Sequence, residues 1–273
     1  MTPPIRLVVS DVDGTLVDPD KRLRAVTIAA VRRLEAAGVG FTIISARPRS
    51  GLGWLADELA IDAPMAAFNG GTVFRRNGAI EAQYRVPVDV VKDVLALAAE
   101  TPVAIWVFAD DRWYASRGDG QHVEHEAMAS AQPPVLASDF ASLVDRVDKI
   151  TLVSDDAELL RALHAKADAI HGTAATIAQS QTYYLDVTAL AANKGDGVAI
   201  LAAAFGVPLE QVAVLGDQAN DLPMLRRAGL PIVMANAPQA VREQIQLRTR
   251  SNADDGVAYA IDTIIMPRIG VSS

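Results

Sequence analysis

Apolar and polar residues alternate along the first and last thirds of the chain as they do in proteins where strands and helices follow one another. β-Branched runs predict strands at residues 5–10, 39–45 and 64–68, and a 3.6-residue apolar spacing predicts helices at 23–37 and 50–59. The pattern returns after residue 190, with strands at 211–215 and 230–234 and helices at 194–205, 221–228, 238–245 and 255–266. Alternating strands and helices form right-handed βαβ units, so the sequence predicts an α/β fold with a Rossmann-like parallel sheet.

The middle of the chain follows a different pattern. It predicts helices at residues 88–100 and 157–167 and strands at 103–108, 113–116, 149–154, 174–178 and 183–187. We interpret residues 86–189 as a second α/β domain inserted into a core domain of residues 1–85 and 190–273. Just before the insertion, predicted strands at 72–74 and 80–84 flank Asn77-Gly78, which favours a type I′ hairpin turn.

Composition narrows the class of protein. Of the 273 residues, 51% are hydrophobic, which indicates a folded chain with a large core. A net charge of -8 without a basic block argues against nucleic-acid binding, and the absence of cysteine excludes disulfides and thiolate chemistry. The longest apolar stretch, residues 197–209, is shorter than the roughly 20 residues that span a bilayer. The N-terminus lacks the features of a signal peptide, so we expect a cytoplasmic protein without a membrane partner.

Polar side chains collect directly after the predicted core strands, which is where ligands bind in open parallel sheets. They are Asp11 and Asp13 after the first strand, Ser45 and Arg47 after the second, Asn69 and Gly70 after the third, Asp217, Asn220 and Asp221 after strand 211–215, and Lys194 at the start of the helix that follows the insertion. Because the carboxyl ends of parallel strands share one edge of the sheet, we expect these groups to converge.

The carboxylates at this edge suit a divalent cation. Asp11, Asp13 and Asp217 offer hard oxygen ligands for Mg²⁺ and leave room for water and a phosphate oxygen. The cation would relieve the repulsion between the carboxylates and let an acidic site accept a phosphate dianion. Asp11 can then act as a nucleophile and Asp13 as the acid and base. Lys194 and Ser45 would hold the oxygens of the transferring phosphoryl group.

Four motifs in this order resemble those of the haloacid dehalogenase superfamily. The first motif, DxDGT, stands as Asp11-Val12-Asp13-Gly14-Thr15, the second-motif residue as Ser45 in IISARP, the third-motif lysine as Lys194 in NKGDGVAIL, and the fourth motif, GDxxND, as residues 216–221. The insertion resembles a C2-type α/β cap, and DDGVAYAI near the C-terminus is similar to a segment of the Cof-type, class IIB sugar-phosphate phosphatases. The chain departs from the Cof-type pattern at SARP, where ATGRP is common.

The resemblance implies a Mg²⁺-dependent phosphatase that acts through an aspartyl-phosphate on a small phosphorylated metabolite, such as a sugar phosphate. It implies that the Asp11 carboxylate, the Asp13 backbone carbonyl and Asp217 bind Mg²⁺. By the same resemblance, Asn220 and Asp221 support the metal and Lys194, and the cap closes over the site and selects the leaving group.

Other functions remain open at the level of the sequence. A phosphotransferase or phosphomutase would use the same aspartyl-phosphate but a different acceptor. A phospho-Asp signalling receiver also brings acidic residues, Ser or Thr, and Lys to one sheet edge, although receivers are much shorter and lack a cap. A catalytically idle binding protein is a further alternative. A dinucleotide-binding enzyme is disfavoured because the first strand ends in DVDGT rather than G-x-G-x-x-G.

Several single residues also have plain structural interpretations. Asn220 or Asp221 could cap the following helix, Asn69 could shape a turn, and Arg47 could be a loop arginine. We nevertheless include Arg47, Asn69 and Gly70 as candidate substrate-binding residues. The pair His122 and His125 lies three residues apart without a third ligand, so we interpret it as a solvated helix face rather than a zinc site.

Overall fold

The computed structural model describes residues 3–270, apart from the side chain of Gln121. The chain divides into two compact units. The first comprises residues up to Ala46 together with Gly53–Glu81 and the segment that begins at Asn193. The second comprises Arg47–Leu52 and Ala82–Ala192. The second unit thus extends beyond residues 86–189 at both ends and includes a short segment that we had assigned to the core.

The first unit is built on a five-stranded sheet in which all pairs are parallel. Its strands are β1 (Leu7–Ser10), β2 (Gly40–Ile43), β12 (Val212–Gly216), β13 (Leu230–Val233) and β14 (Leu247–Arg248). Their spatial order is β14-β13-β12-β1-β2, so the strand order reverses beside β1. All four residues of β1 are buried, as expected for a strand covered on both faces. The predicted α/β fold with a parallel sheet is confirmed.

The helices of the first unit connect these strands. They are α1 (Ala25–Ala36), α2 (Gly53–Glu58), α6 (Lys194–Ala204), α7 (Leu222–Arg227), α8 (Gln239–Arg242) and α9 (Gly256–Ala260). Helix α1 buries Thr27, Ala30, Val31 and Leu34, which lie on one face at helical spacing. The helix predicted over 255–266 is shorter than expected, because it continues beyond Ala260 only as π- and 3₁₀-type turns.

A small antiparallel sheet follows β2. Its strands are β3 (Met65–Ala67), β4 (Thr72–Phe74) and β5 (Ile80–Gln83), and an isolated parallel bridge joins Ile44 to Ala66. The type I′ prediction for the turn between β4 and β5 was wrong. Among the described residues of this turn only Gly78 has a positive φ, whereas a type I′ turn requires one at Asn77 as well. The Asn77 side chain instead accepts a hydrogen bond from the backbone of Ala79 at 3.0 Å.

The second unit contains a six-stranded sheet in the order β10-β11-β9-β6-β7-β8. Its strands are β6 (Ala104–Ala109), β7 (Arg112–Ala115), β8 (Val135–Leu136), β9 (Val147–Val153), β10 (Ala175–Gln181) and β11 (Tyr184–Ala189), and its helices are α3 (Val88–Ala99), α4 (Gln121–Ser130) and α5 (Ala157–His171). One face of the sheet buries an apolar cluster with α3 and α5. The central strands β6, β9 and β11 pair antiparallel.

No helix within residues 3–270 has the length and apolar character needed to cross a bilayer.

Candidate active site

The loop after β1 places two acidic side chains in different environments. Asp11 follows the strand directly, and its backbone N–H donates to the Leu215 carbonyl at 2.9 Å, which joins the ends of β1 and β12. The Asp11 side chain is buried, whereas that of Asp13 is about one-third exposed. Gly14 adopts φ +79, and a Cβ there would lie 2.3 Å from Asp217 Oδ2, so glycine is required for this close approach.

Lys194 joins the loops after β1 and β12 through two buried ion pairs. Its Nζ lies 2.5 Å from Asp11 Oδ1 and 2.5 Å from Asp221 Oδ1. A lysine in the first turn of a helix opposes the helix dipole. Here the two carboxylates compensate for that unfavourable position, and the N-cap is supplied by Asn193, whose Oδ1 accepts from Asp196 N at 2.9 Å.

Close backbone contact places α6 against the loop after β3. A Cβ at Gly70 would lie 2.8 Å from the Cα of Gly197, and Gly70 has φ +97. These two glycines allow the start of α6, and with it Lys194, to lie beside the sheet edge.

The GDQAND loop after β12 combines helix capping with the acidic site. Asp221 Oδ2 accepts from the backbone N–H groups of Asp217 and Gln218 at 2.7 and 2.8 Å, within a capping box. Its other oxygen binds Lys194. Asp221 thus contacts Lys194, but its side chain belongs to the capping box of the 3₁₀ turn Ala219–Asp221 and makes no capping hydrogen bond to α7, so the interpretation of Asp221 as the cap of the following helix was wrong. Asn220 is exposed and donates to Asn69 Oδ1 at 3.1 Å, and its support of the metal and of Lys194 stays a prediction.

The remaining predicted residues lie in two places. Ser45 is buried in the first unit, where its carbonyl accepts from the Asn69 N–H at 2.8 Å. Asn69 has a left-handed φ of 58, which supports the turn interpretation of that residue. Arg47 belongs to the segment that groups with the second unit, where its Nη1 donates to the Gly51 carbonyl at 3.3 Å. The substrate contacts of Arg47, Asn69 and Gly70 stay predictions.

Three buried carboxylates converge in the first unit. One ligand oxygen from each of Asp11, Asp217 and Asp221 lies within 4.8 Å of the others. With Lys194 as the cation of the cluster, two negative charges are left without compensation. Asp11 Oδ2 is also buried without a hydrogen-bond partner. The two uncompensated negative charges and the unpartnered carboxylate oxygen fit a hard divalent cation such as Mg²⁺.

The pKa values of the cluster reflect this excess of negative charge. Burial raises the pKa of Asp11 to about 8 against the opposing effect of Lys194, and the Asp221 and Asp217 carboxylates add to the rise. Burial likewise raises the pKa of Asp217 to about 6, with Asp221 acting in the same direction. Burial alone would lower the pKa of Lys194, but Asp11 and Asp221 outweigh it and hold that pKa above its ordinary value. A bound dication would favour the ionised carboxylates and so oppose both upward shifts.

Two residues at the site were not identified from the sequence. Lys21 forms an ion pair with Asp13, with Nζ 2.6 Å from Oδ1, across a turn in which Lys21 has φ +61. Asn236, in the loop after β13, donates to the Gly14 carbonyl at 2.8 Å and to Asp217 Oδ2 at 3.3 Å. Asn236 could have been found by the rule used for the other strands, since it follows the carboxyl end of a core strand.

Comparison with known proteins identifies the family. A sequence profile of haloacid dehalogenase-like hydrolases matches residues 8–261. This chain belongs to that family. The predicted family, and with it a phosphatase-type hydrolase, is thereby confirmed.

Individual relatives span nearly the whole chain. The 5-amino-6-(5-phospho-D-ribitylamino)uracil phosphatase YwtE of Bacillus subtilis is 26% identical and covers 96% of this chain and 98% of its own length. An HMP-PP phosphatase of Escherichia fergusonii is 27% identical and covers 88% of each chain. A solved sugar phosphatase of haloacid dehalogenase subclass IIB has a TM-score of 0.79 at 23% identity, covering 94% of this chain and 98% of its own. This last similarity concerns the fold.

Proposed function

We propose that the chain is a Mg²⁺-dependent phosphomonoesterase that hydrolyses a small phosphorylated metabolite through a phosphorylated Asp11. The observation that carries the proposal is the arrangement of Asp11 itself. One oxygen is held by Lys194 at 2.5 Å, while the other is buried without a hydrogen-bond partner beside two more carboxylates. The large majority of buried carboxylate oxygens accept a hydrogen bond, because an unpaired buried acceptor is costly, so the unpartnered Asp11 Oδ2 favours a ligand at this position.

The cation would be held by the Asp11 carboxylate, the backbone carbonyl of Asp13 and Asp217. When bound, Mg²⁺ supplies positive charge that lets a phosphate dianion enter an acidic site and offsets charge on the transferring group. Asp221 is excluded as a direct ligand in this proposal, because its oxygens already accept from Lys194 and from two backbone N–H groups.

In the first half-reaction, an oxygen of the Asp11 carboxylate forms a bond to phosphorus while the ester O–P bond breaks. The proton of the Asp13 carboxylic acid passes to the departing alcohol oxygen. Lys194 neutralises charge beside the reacting carboxylate and fixes the orientation of Asp11 through Oδ1. Ser45 would donate to an oxygen of the phosphoryl group.

In the second half-reaction, water attacks the phosphoaspartate. A bond forms between the water oxygen and phosphorus, the bond from phosphorus to Asp11 breaks, and Asp13 accepts the proton from water. The products are inorganic phosphate and the original carboxylate of Asp11. Use of a sugar hydroxyl in place of water would give the phosphotransferase alternative.

The relatives differ in the substrates that their names give. The names of the relatives agree on phosphatase activity but give different substrates: a phosphoribitylamino-uracil, HMP-PP and sugar phosphates. We favour a phosphorylated sugar or a related polyol, because the DDGVA segment resembles that of the Cof-type sugar-phosphate phosphatases and the named substrate of the Bacillus subtilis relative carries a phosphoribityl group. The second unit is the region that we expect to distinguish among them.

Phosphate release from a panel of sugar and other metabolite phosphates tests the proposal, with Mg²⁺ and with EDTA, on the wild type and on Asp11→Asn. We expect turnover that requires Mg²⁺ and falls by at least about 10³-fold in the variant, because the nucleophile is lost. Detection of a phosphorylated acceptor rather than free phosphate would indicate a phosphotransferase. No turnover on any substrate, including a simple aryl phosphate, would contradict the hydrolase assignment.

A further inference from the structure

Asn236 contacts both loops that carry the predicted metal ligands. Its Nδ2 donates to the carbonyl of Gly14, next to Asp13, and to the carboxylate of Asp217. Lys194 also joins these two loops through a single nitrogen, but its partners are Asp11 and Asp221 rather than Gly14 and Asp217. Because both acceptors lie beside atoms that we assign to Mg²⁺, the position of this one amide affects the geometry of the whole ligand set.

The orientation of the Asn236 amide is determined by its partners. Its Oδ1 accepts from the backbone N–H of Asn252 at 3.1 Å, and the opposite orientation would place this oxygen against two acceptors, Gly14 O and Asp217 Oδ2. Asn252 in turn donates from Nδ2 to the Val17 carbonyl at 2.9 Å. The two asparagines, which we call the amide pair, therefore connect the loop after β1 to the segment that precedes α9.

The DDGVA motif near the C-terminus forms a turn that holds one member of the amide pair in position. In that turn, the Gly256 N–H donates to the Ser251 carbonyl at 3.0 Å, and Asp255 adopts a left-handed φ of 57. A Cβ at Gly256 would lie 2.2 Å from the Arg250 carbonyl, so the tight turn requires glycine. The turn holds Asn252 where it can bond to Asn236.

The donors to Asp217 are all neutral. Thr15 Oγ1 contacts Oδ1 at 3.4 Å, and Gln218 Nε2 and Asn236 Nδ2 contact Oδ2 at 3.1 and 3.3 Å. Neutral donors orient a carboxylate without cancelling its charge, so that the charge stays available to a cation. Groups that hold metal ligands in this way typically change metal affinity by about 10- to 100-fold when they are removed.

We propose that Asn236 is a positioning residue that sets the Mg²⁺ affinity of the site by fixing Asp217 and the Gly14 carbonyl relative to each other, with Asn252 holding its amide in place. This inference rests on the proposed function, since it assumes that Asp217 binds Mg²⁺. Asn236 is exposed, so its replacement leaves no buried cavity and should not disturb the core.

The test is calorimetric titration of MgCl₂ into the full-length, chelator-treated protein and its variants. We expect Asn236→Ala to raise the dissociation constant for Mg²⁺ by about 10-fold or more, and Asn252→Ala to raise it less, because Asn252 acts through Asn236. The melting temperature of the metal-free protein should be unchanged in Asn236→Ala, because the side chain is exposed. Gln239→Ala is the matched control, since this exposed amide bonds to Glu243 and not to the site.

Wild-type affinity in Asn236→Ala would overturn the inference, and so would a loss of affinity that only follows a lower melting temperature. In either case the wild type would still bind Mg²⁺ and release phosphate, and the proposed function would stand. If the wild type bound no Mg²⁺ and released no phosphate, both proposals would be wrong.

Discussion

The two units of the molecule bury charge in opposite ways. In the first unit, Lys194 lies between two carboxylates, and a third carboxylate leaves the cluster with excess negative charge. In the second unit, Lys149 lies 4.5 Å above the centre of the Phe108 ring, and the buried Asp148 accepts a hydrogen bond from the neutral amide of Gln83 at 2.8 Å. A buried ionisable group is therefore not in itself a sign of chemistry. What marks a functional site here is convergence of like charges from separate loops.

The pKa values alone would not separate the two regions. Burial raises the pKa of Asp148 to about 6, the same value to which burial raises that of Asp217. Burial is the largest cause of both shifts, and each carboxyl also has a neighbouring carboxylate and a cation that act on its pKa. The two differ in the next largest cause, which for Asp148 is the opposing hydrogen bond from Gln83 and for Asp217 is the Asp221 carboxylate, which adds to the rise. The following experiments test this distinction.

Replacement of the two buried lysines should give the largest contrast. In EDTA, Lys194→Met should lower the free energy of unfolding by about 3–5 kcal/mol, because it leaves buried carboxylates without their cation. Lys149→Met should cost at most about 2 kcal/mol, the upper range of a cation–π contact. Urea denaturation measures both values. Equal losses of unfolding free energy in the two variants would contradict the difference that we infer between the two units.

Removal of the metal should make the stability depend on pH in a specific direction. The pKa values of Asp11 and Asp217 in the folded protein lie above the ordinary value of 3.8, so their protonated forms stabilise the fold. Stability in EDTA should therefore fall as the pH rises from about 4 to about 8, by roughly 3 kcal/mol from Asp217 alone.

Saturating Mg²⁺ should reduce this fall, because the cation favours the ionised carboxylates. Melting temperatures across this pH range, with and without Mg²⁺, measure the effect. Curves that stay parallel at every pH would mean that these carboxylates do not bind the ion.

Asp148→Asn should change the stability independently of Mg²⁺, and by less than Asp11 and Asp217 do together. Its pKa is also raised, so the carboxylate destabilises the fold once the pH exceeds about 6. The amide should increase the free energy of unfolding at pH 8 by about 3 kcal/mol, and the gain should vanish below about pH 4. Denaturation at the two pH values, repeated with Mg²⁺, checks this. A gain that changed with Mg²⁺ would contradict our separation of the two regions.

Much of the fold and part of the site could be predicted because local sequence and sheet topology act together. The strand before Asp11 and the strand before Asp217 were recognised from apolar runs, and parallel pairing then required their ends to meet. The short strand Leu247–Arg248 could not be predicted, since two residues carry no periodic signal. The type I′ prediction at Asn77 was wrong because the Asn77 side chain accepts a hydrogen bond from the backbone N–H of Ala79 and stabilises a different turn.

The site residues Asn236 and Lys21 were missed for different physical reasons. Asn236 follows the carboxyl end of a core strand, as the predicted site residues do. It is a single uncharged amide in MANAP, however, and so was not chosen as a candidate. Lys21 reaches Asp13 only because the turn of residues 18–22 reverses the chain, with the Asp18 N–H bonded to the Arg22 carbonyl at 3.0 Å. Tertiary geometry of this kind is not visible in spacing along the sequence.

The grouping of Arg47–Leu52 with the second unit has a consequence for how such enzymes can be recombined. The chain passes between the units at 46/47, 52/53, 81/82 and 192/193, rather than at two points as in a simple insertion. Within the second unit, Ser50 donates to the Ser130 carbonyl at 2.6 Å and accepts from the Gln132 amide at 3.0 Å. Transplanting residues 82–192 alone into another scaffold would break these bonds. A functional chimaera must therefore carry both segments from the same parent.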